Sequence, residues 1–203
     1  MQIAKIVKAL KKRYDWKRGH SSNPFRVLIS TVLSQRTKDA NTEKASSALF
    51  SRFKTPRELA NADIGRIEKL IRASGFYKVK AKRIKEISRI IIEKFGGKVP
   101  RRMDELLSLP GVGRKTANCV LVFAYRQPAI PVDTHVHRIS NRLGLVSTKT
   151  PEKTEIKLMR KIPKKYWIDL NELLVRHGQN ICLPRKPRCS VCPIVKYCKK
   201  VNI

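Results

Sequence analysis

Four cysteines crowd into the end of the chain, Cys182, Cys189, Cys192 and Cys198, spaced C-x6-C-x2-C-x5-C. Too little apolar sequence lies between them to build a hydrophobic core, so four soft sulfur ligands in one short run point to a metal centre as what that segment folds around. Structural zinc usually takes two C-x2-C knuckles, and only one is present. The uneven spacing suits a cuboidal 4Fe-4S cluster better, with zinc as the alternative. Pro184, Pro187 and Pro193 stiffen the loops. Arg185, Lys186 and Arg188 decorate the first of them, either as counter-charge for a thiolate-bound cluster or as a grip on a phosphate backbone. The fifth cysteine, Cys119, sits in an apolar stretch and reads as a small buried residue.

The rest of the composition narrows the partner. Among 203 residues, 46 Lys plus Arg face 15 Asp plus Glu, a net charge of +31, with 41% of residues apolar. Such an excess repels itself unless a polyanion neutralises it, which favours the phosphate-grip reading and makes nucleic acid the expected partner. No apolar run is long enough to span a bilayer, and no basic amphipathic helix with exposed aromatics suggests a membrane surface. The first residues, Met1-Gln2-Ile3-Ala4-Lys5, lack the apolar core of a signal peptide. The expected location is therefore a reducing compartment, the cytoplasm, with association to the nucleoid.

Along the chain, apolar residues recur at helical spacing. Ile3, Ile6, Val7 and Leu10 mark a short amphipathic helix, and Asn23-Pro24 opens one that is apolar on nearly all sides through Leu33. A polar loop, Leu33 to Asp39, interrupts before the next helix. Thr55-Pro56-Arg57-Glu58 has the form of a capping box. Ile84, Ile87 and Ile91 make the stripe of a long helix whose Lys80, Lys82, Arg83, Lys85, Glu86 and Arg89 read as a solvated face. No convincing strand pair and no repeat emerges, so the expected fold class is all-α.

Near the middle stands Leu109-Pro110-Gly111-Val112-Gly113-Arg114-Lys115-Thr116-Ala117-Asn118. Two glycines two apart, between an apolar run ending at Leu109 and another from Ala117 to Tyr125, predict a tight turn joining two helices. Amides at the start of the second helix, beside its positive dipole end, can take an anionic oxygen such as a DNA phosphate. Lys115 falls in that first turn, where the dipole disfavours a further positive charge and should lower its pKa, as a nucleophilic amine requires. A plain phosphate contact by Lys115 is the competing reading. Asp133, opening the next helix, could be no more than its N-cap.

The decapeptide Leu109 to Asn118, then Val132-Asp133-Thr134-His135, then the cysteine tail resemble, in order and over nearly the whole chain, the endonuclease III family of helix-hairpin-helix DNA glycosylases. The resemblance implies two helical domains: a six-helix barrel carrying the hairpin over about residues 21–128, and a domain built from 1–20 and 129–203 that carries the cluster. It implies a cleft between them where a damaged pyrimidine is flipped out of the duplex. Lys115 would attack C1′ of the sugar to form a Schiff base, and Asp133 would assist base departure and ring opening. DNA would be held by Gly111, Val112 and Gly113 of the hairpin and by Arg185, Lys186 and Arg188. In the family a glutamine often fills the gap left by the flipped nucleotide. Here Arg36 aligns with it, and Gln35 stands one residue earlier. Phe76 matches an apolar wedge but could be core, and His135 matches a residue near the extruded base but could serve only the capping turn. His177-Gly178 reads as packing support near the cluster.

The expected activity is that of a bifunctional glycosylase and AP lyase on oxidised pyrimidines, a monomer acting on double-stranded DNA that contains damaged bases or abasic sites. Two alternatives stay open. One is a mismatch-specific thymine or uracil glycosylase on the same scaffold, which would need no lysine nucleophile. The other is a non-catalytic basic module that binds DNA or RNA.

Overall fold

The computed structural model describes residues 2–15, 23–201 and 203, and every regular element among them is helical. None of these helices is long and apolar enough to cross a membrane. The chain forms two compact units, Ser21–Tyr125 and Met1–His20 with Arg126–Ile203. The first expected domain boundary, between residues 20 and 21, lies outside the described residues.

In the Ser21–Tyr125 unit, α2 (Pro24–Ser34) starts where the Asn23 side chain accepts the Arg26 N–H at 3.1 Å, with Pro24 in the first turn. Its Leu28, Ile29, Val32 and Leu33 are fully buried, so the helix runs through the core, as its apolar circumference demands. Around it come α3 (Asp39–Arg52), α4 (Pro56–Asn61), α5 (Ile64–Leu70), α6 (Tyr77–Phe95), α7 (Met103–Leu107) and α8 (Arg114–Cys119). The capping box at α4 forms, with the Thr55 hydroxyl taking the Glu58 amide and Glu58 reaching back to the Thr55 amide.

Two expectations are corrected in this unit. The apolar run to Tyr125 predicts one continuous helix, but α8 gives way to a π-helical turn over Val120–Ala124, and Tyr125 N–H bonds to Val120 O at 3.3 Å. Tyr125 is anchored elsewhere: its hydroxyl donates to Val99 O, and the Arg101 guanidinium lies 4.7 Å from its ring centre. The charge run on α6 is also not a uniformly solvated face. Lys82 and Arg89 are exposed, but Lys80 is buried, because residues 80, 84, 87 and 91 share one helical face.

The other unit joins both chain ends. α1 (Gln2–Arg13) packs on α11 (Trp167–Asn180), and α9 (Thr134–Arg142) packs on both α11 and α10 (Pro151–Lys161). Ile6, Leu10, Val136, Leu158, Leu170 and Leu173 belong to one core, which Ile194 of the cysteine loop also enters. Lys11 pairs with the buried Asp169 at 2.6 Å, so α1 is held by a charge as well as by its apolar stripe.

Candidate functional site

The hairpin turn needs its first glycine. Gly111 has φ +70°, and a Cβ there would lie 2.2 Å from Arg83 Nε. Gly113 has extended backbone with open space where a Cβ would go, so the expected need for freedom at both glycines holds at Gly111 alone. Val112 turns inward, 5% exposed, and its N–H is used within the turn on Leu109 O at 3.1 Å. What faces solvent is Gly111, Gly113 and the start of α8, where Lys115, the second helical residue, is exposed.

Next to the hairpin the structure separates two residues that sequence could not rank. Gln35 is engaged: its Nε2 donates to Gly111 O at 2.9 Å and to Thr116 Oγ1 at 3.3 Å, and its Oε1 accepts from Arg83 at 3.3 Å. Arg36 stands outside, exposed, with φ 50°. Its guanidinium lies 5.9 Å from the ring centre of Phe76, which also has a left-handed backbone (φ 58°) and is 63% exposed. Phe76 is therefore not a core residue.

In the other unit Asp133 is the N-cap of α9, its Oδ1 accepting the Val136 N–H at 2.8 Å. A cap uses one carboxylate oxygen and leaves the charge in place, so capping does not preclude chemistry. His135, half-buried, lies 3.2 Å through Nδ1 from a guanidinium nitrogen of Arg138. The same Arg138 nitrogen reaches the carbonyls of Gly178 (3.3 Å) and Cys182 (2.8 Å). A Cβ on Gly178 would meet His135 Nδ1 at 2.4 Å, which gives Gly178 the packing role expected of it.

The four C-terminal cysteines line one small pocket, together with Arg142, His177 and Ile194. Four sulfurs around one pocket are the donor set that a 4Fe-4S cluster takes, so the residues present fit that group. Burial pushes the Cys192 and Cys198 thiols up, and binding of a cluster would displace their protons to water. Arg142, 6% exposed, donates to Leu183 O at 2.7 Å and Pro184 O at 2.8 Å and approaches Cys182 Sγ at 3.5 Å. His177, pushed down to about 4 by burial, lies between Tyr14 OH (3.0 Å) and Cys192 Sγ (3.5 Å). Arg185, Lys186 and Arg188 are exposed on the loop surface, which suits a phosphate contact better than a buried counter-charge.

Sequence reasoning missed Lys80, Arg138 and Arg142. Lys80 and Arg142 are buried on amphipathic helices, where the pattern calls for an apolar residue, and Arg138 is half-buried. That mismatch was the available signal.

Residues 29–164 match the HhH-GPD superfamily of base excision DNA repair proteins, and residues 182–198 match the iron-sulfur binding domain of endonuclease III. The chain is 52% identical to endonuclease III of Thermotoga maritima over 97% of its own length and 92% of that protein's. It is 41% identical to that of Bacillus subtilis over 88% and 82%. Its fold is similar to a trapped endonuclease III-DNA covalent intermediate, with TM-score 0.88, 37% identity and 98% and 95% of the two chains covered. It is also similar to a thermostable thymine-DNA glycosylase, with TM-score 0.85, 27% identity and 98% and 96% covered.

Proposed function

The chain belongs to the endonuclease III branch of the HhH-GPD superfamily of base excision DNA repair proteins, and from that premise we propose which of its residues carry the reaction. It is a DNA glycosylase with AP lyase activity and holds a 4Fe-4S cluster on Cys182, Cys189, Cys192 and Cys198. Its substrate is duplex DNA bearing an oxidised pyrimidine or an abasic site, on which it acts as a monomer. It works where the genome is, in the cytoplasm on the nucleoid.

Lys115 Nζ attacks C1′ of the damaged nucleotide. The N-glycosidic bond breaks, the base leaves with its electron pair and takes up a proton, and the lysine and sugar become an imine as the ring opens. Loss of a C2′ proton then expels the 3′ phosphate, and water hydrolyses the imine to free Lys115. The carboxylate of Asp133 balances positive charge growing on the sugar. Gly111, Val112 and Gly113 set the hairpin backbone against phosphate, and Arg185, Lys186 and Arg188 add contacts from the cluster loop. His135, beside Arg138, offers a hydrogen bond to the extruded base. Phe76 and Arg36 fill the opened stack, with Gln35 bracing them from the hairpin side. The cluster, when bound, fixes the fold of the loop and takes no part in these steps.

The observation that carries the reading is the exposed amine of Lys115 at the start of the hairpin's second helix. The thymine-DNA glycosylase likeness shares the scaffold but gives such an amine no task. A panel of duplexes, each with one defined lesion, separates the two. Wild type should cleave the strand without alkali, and Asp133→Asn should bind duplex normally but turn over roughly 10²–10³ times more slowly. Cleavage only after alkali would assign the chain to the mismatch class.

A further inference from the structure

Beneath Arg36 and Phe76 lies a charge that the reaction above does not use. Lys80 is 3% exposed, and its ammonium donates to Leu33 O (2.7 Å), Gln35 O (2.5 Å), Thr37 Oγ1 (2.9 Å) and Ser74 Oγ (2.9 Å). Three of these acceptors belong to the end of α2 and the turn after it, and the fourth belongs to the corner that opens α6. The two segments also meet directly. Thr37 Oγ1 accepts the Gly75 N–H at 3.1 Å, Ser74 Oγ donates to Leu33 O at 2.9 Å, and a Cβ on Gly75 would lie 2.9 Å from Arg36 O. The residues that project from this junction, Arg36 and Phe76, both keep left-handed backbone, which a non-glycine residue holds only where its surroundings over-determine it. Phe76, with Val79 at 54% exposure one turn on, presents an apolar edge to solvent.

We infer that Lys80 is a positioning residue whose ammonium locks the Leu33–Thr37 turn to the Ser74–Gly75 corner, so that Arg36 and Phe76 meet the opened base stack as one preformed wedge. The inference rests on the DNA-repair reading above and deepens it. An ammonium has three N–H groups and no lone pair, so it can share three hydrogen bonds among these four oxygens and opposes none of them with a lone pair. A neutral amine has two N–H groups, and its lone pair either confronts a carbonyl oxygen or draws the Thr37 or Ser74 hydroxyl away from the Gln35 or Leu33 carbonyl it now serves. The lock therefore depends on protonation. The charged groups around it are Arg83 from α6 and Arg36 from the turn, both cations, while the corner Ser74–Phe76 brings only neutral groups. Burial, with Arg83 adding repulsion, pushes Lys80 down to about 8. The lock is thus complete well below that pH and lost as pH rises through it.

Two measurements on the cluster-loaded protein decide. The first is the ratio of single-turnover strand-cleavage rates on a duplex and on a single-stranded oligonucleotide, each carrying the same abasic site, followed from about pH 6.5 to about 9.5. A single strand has no stack to fill, so the ratio isolates the wedge while the Lys115 chemistry common to both substrates cancels. In wild type the ratio should fall about tenfold across pH 8, and in Lys80→Met it should be about tenfold lower at neutral pH and flat. A purely structural role would slow both substrates together and leave the wild-type ratio flat, which overturns the inference. The second is amide exchange in wild type, corrected for intrinsic rate. Protection at 33–37 and 74–77 should weaken above pH 8 while that of the core helices holds, and unchanged protection there overturns the inference whatever the activities do. If wild type cleaves neither substrate yet loses protection as described, the repair reading falls and the lock stands.

Discussion

Helices α2 and α6 bury Leu28, Ile29, Leu33, Ile84, Ile87 and Ile91 completely, whereas between Cys182 and Cys198 a single residue, Ile194, is buried. The cysteine loop is ordered instead by directed bonds: Arg142 on the carbonyls of Leu183 and Pro184, Arg138 on that of Cys182, Gln2 on that of Tyr197, and, on the assignment proposed above, four thiolates on the cluster. Apolar burial is divisible, since each methyl group contributes its own share. A cluster site is not, because losing one ligand releases the others. The difference teaches where damage to this protein should be graded and where it should be all-or-none.

Removing one ligand should give the largest effect. Cys189→Ser is expected to lose iron and the broad visible absorption together, and to open 182–198 to protease, while amide protection at Ile84, Ile87 and Ile91 stays as in wild type. Iron retained at the wild-type ratio, or protection lost in α6 as well, would break the contrast.

A graded loss is expected from the barrel unit. Ile84→Ala deletes fully buried methyl groups and should cost about 2–5 kcal/mol in denaturant titration, with iron content unchanged. A cost below about 1 kcal/mol would mean that the α6 face collapses around the gap and is less tightly packed than its burial indicates.

The smallest effect sharpens the comparison within the loop itself. Arg188→Ala removes one exposed cation, so the slope of log K for duplex against log salt should become shallower by about one unit, with iron retained. An unchanged slope with faster loss of iron would return Arg188 to the role of counter-charge for the cluster.

The same division governs what could be read in the sequence. Helices with a 3.6-residue apolar period, the capping box at Thr55 and the N-cap at Asn23 were legible because the information is local. The hairpin and the cysteine spacing were legible because few other structures need glycines or thiols in that arrangement. The left-handed backbone at Arg36 and Phe76 was not, since nothing local favours it. It is held by Lys80, a contact across 47 residues to Leu33 O. Lys80 itself was hidden by its neighbours: set among five other charged residues it looks solvated, and only its register with Ile84 and Ile87 betrays burial. The choice between Gln35 and Arg36 likewise needed the hydrogen bonds to Gly111 and Thr116, which no single-sequence pattern encodes.

The central claim is that the amine of Lys115 joins covalently to the sugar. Wild type and Lys115→Gln, both with the cluster intact, can be mixed with a duplex carrying one oxidised pyrimidine in the presence of borohydride, which reduces an imine to a stable amine. Peptide mass mapping should then place the DNA adduct of wild type on Lys115, and Lys115→Gln should bind the duplex yet give no adduct and no strand cleavage. An adduct on another residue, or one that persists in Lys115→Gln, would contradict the assignment.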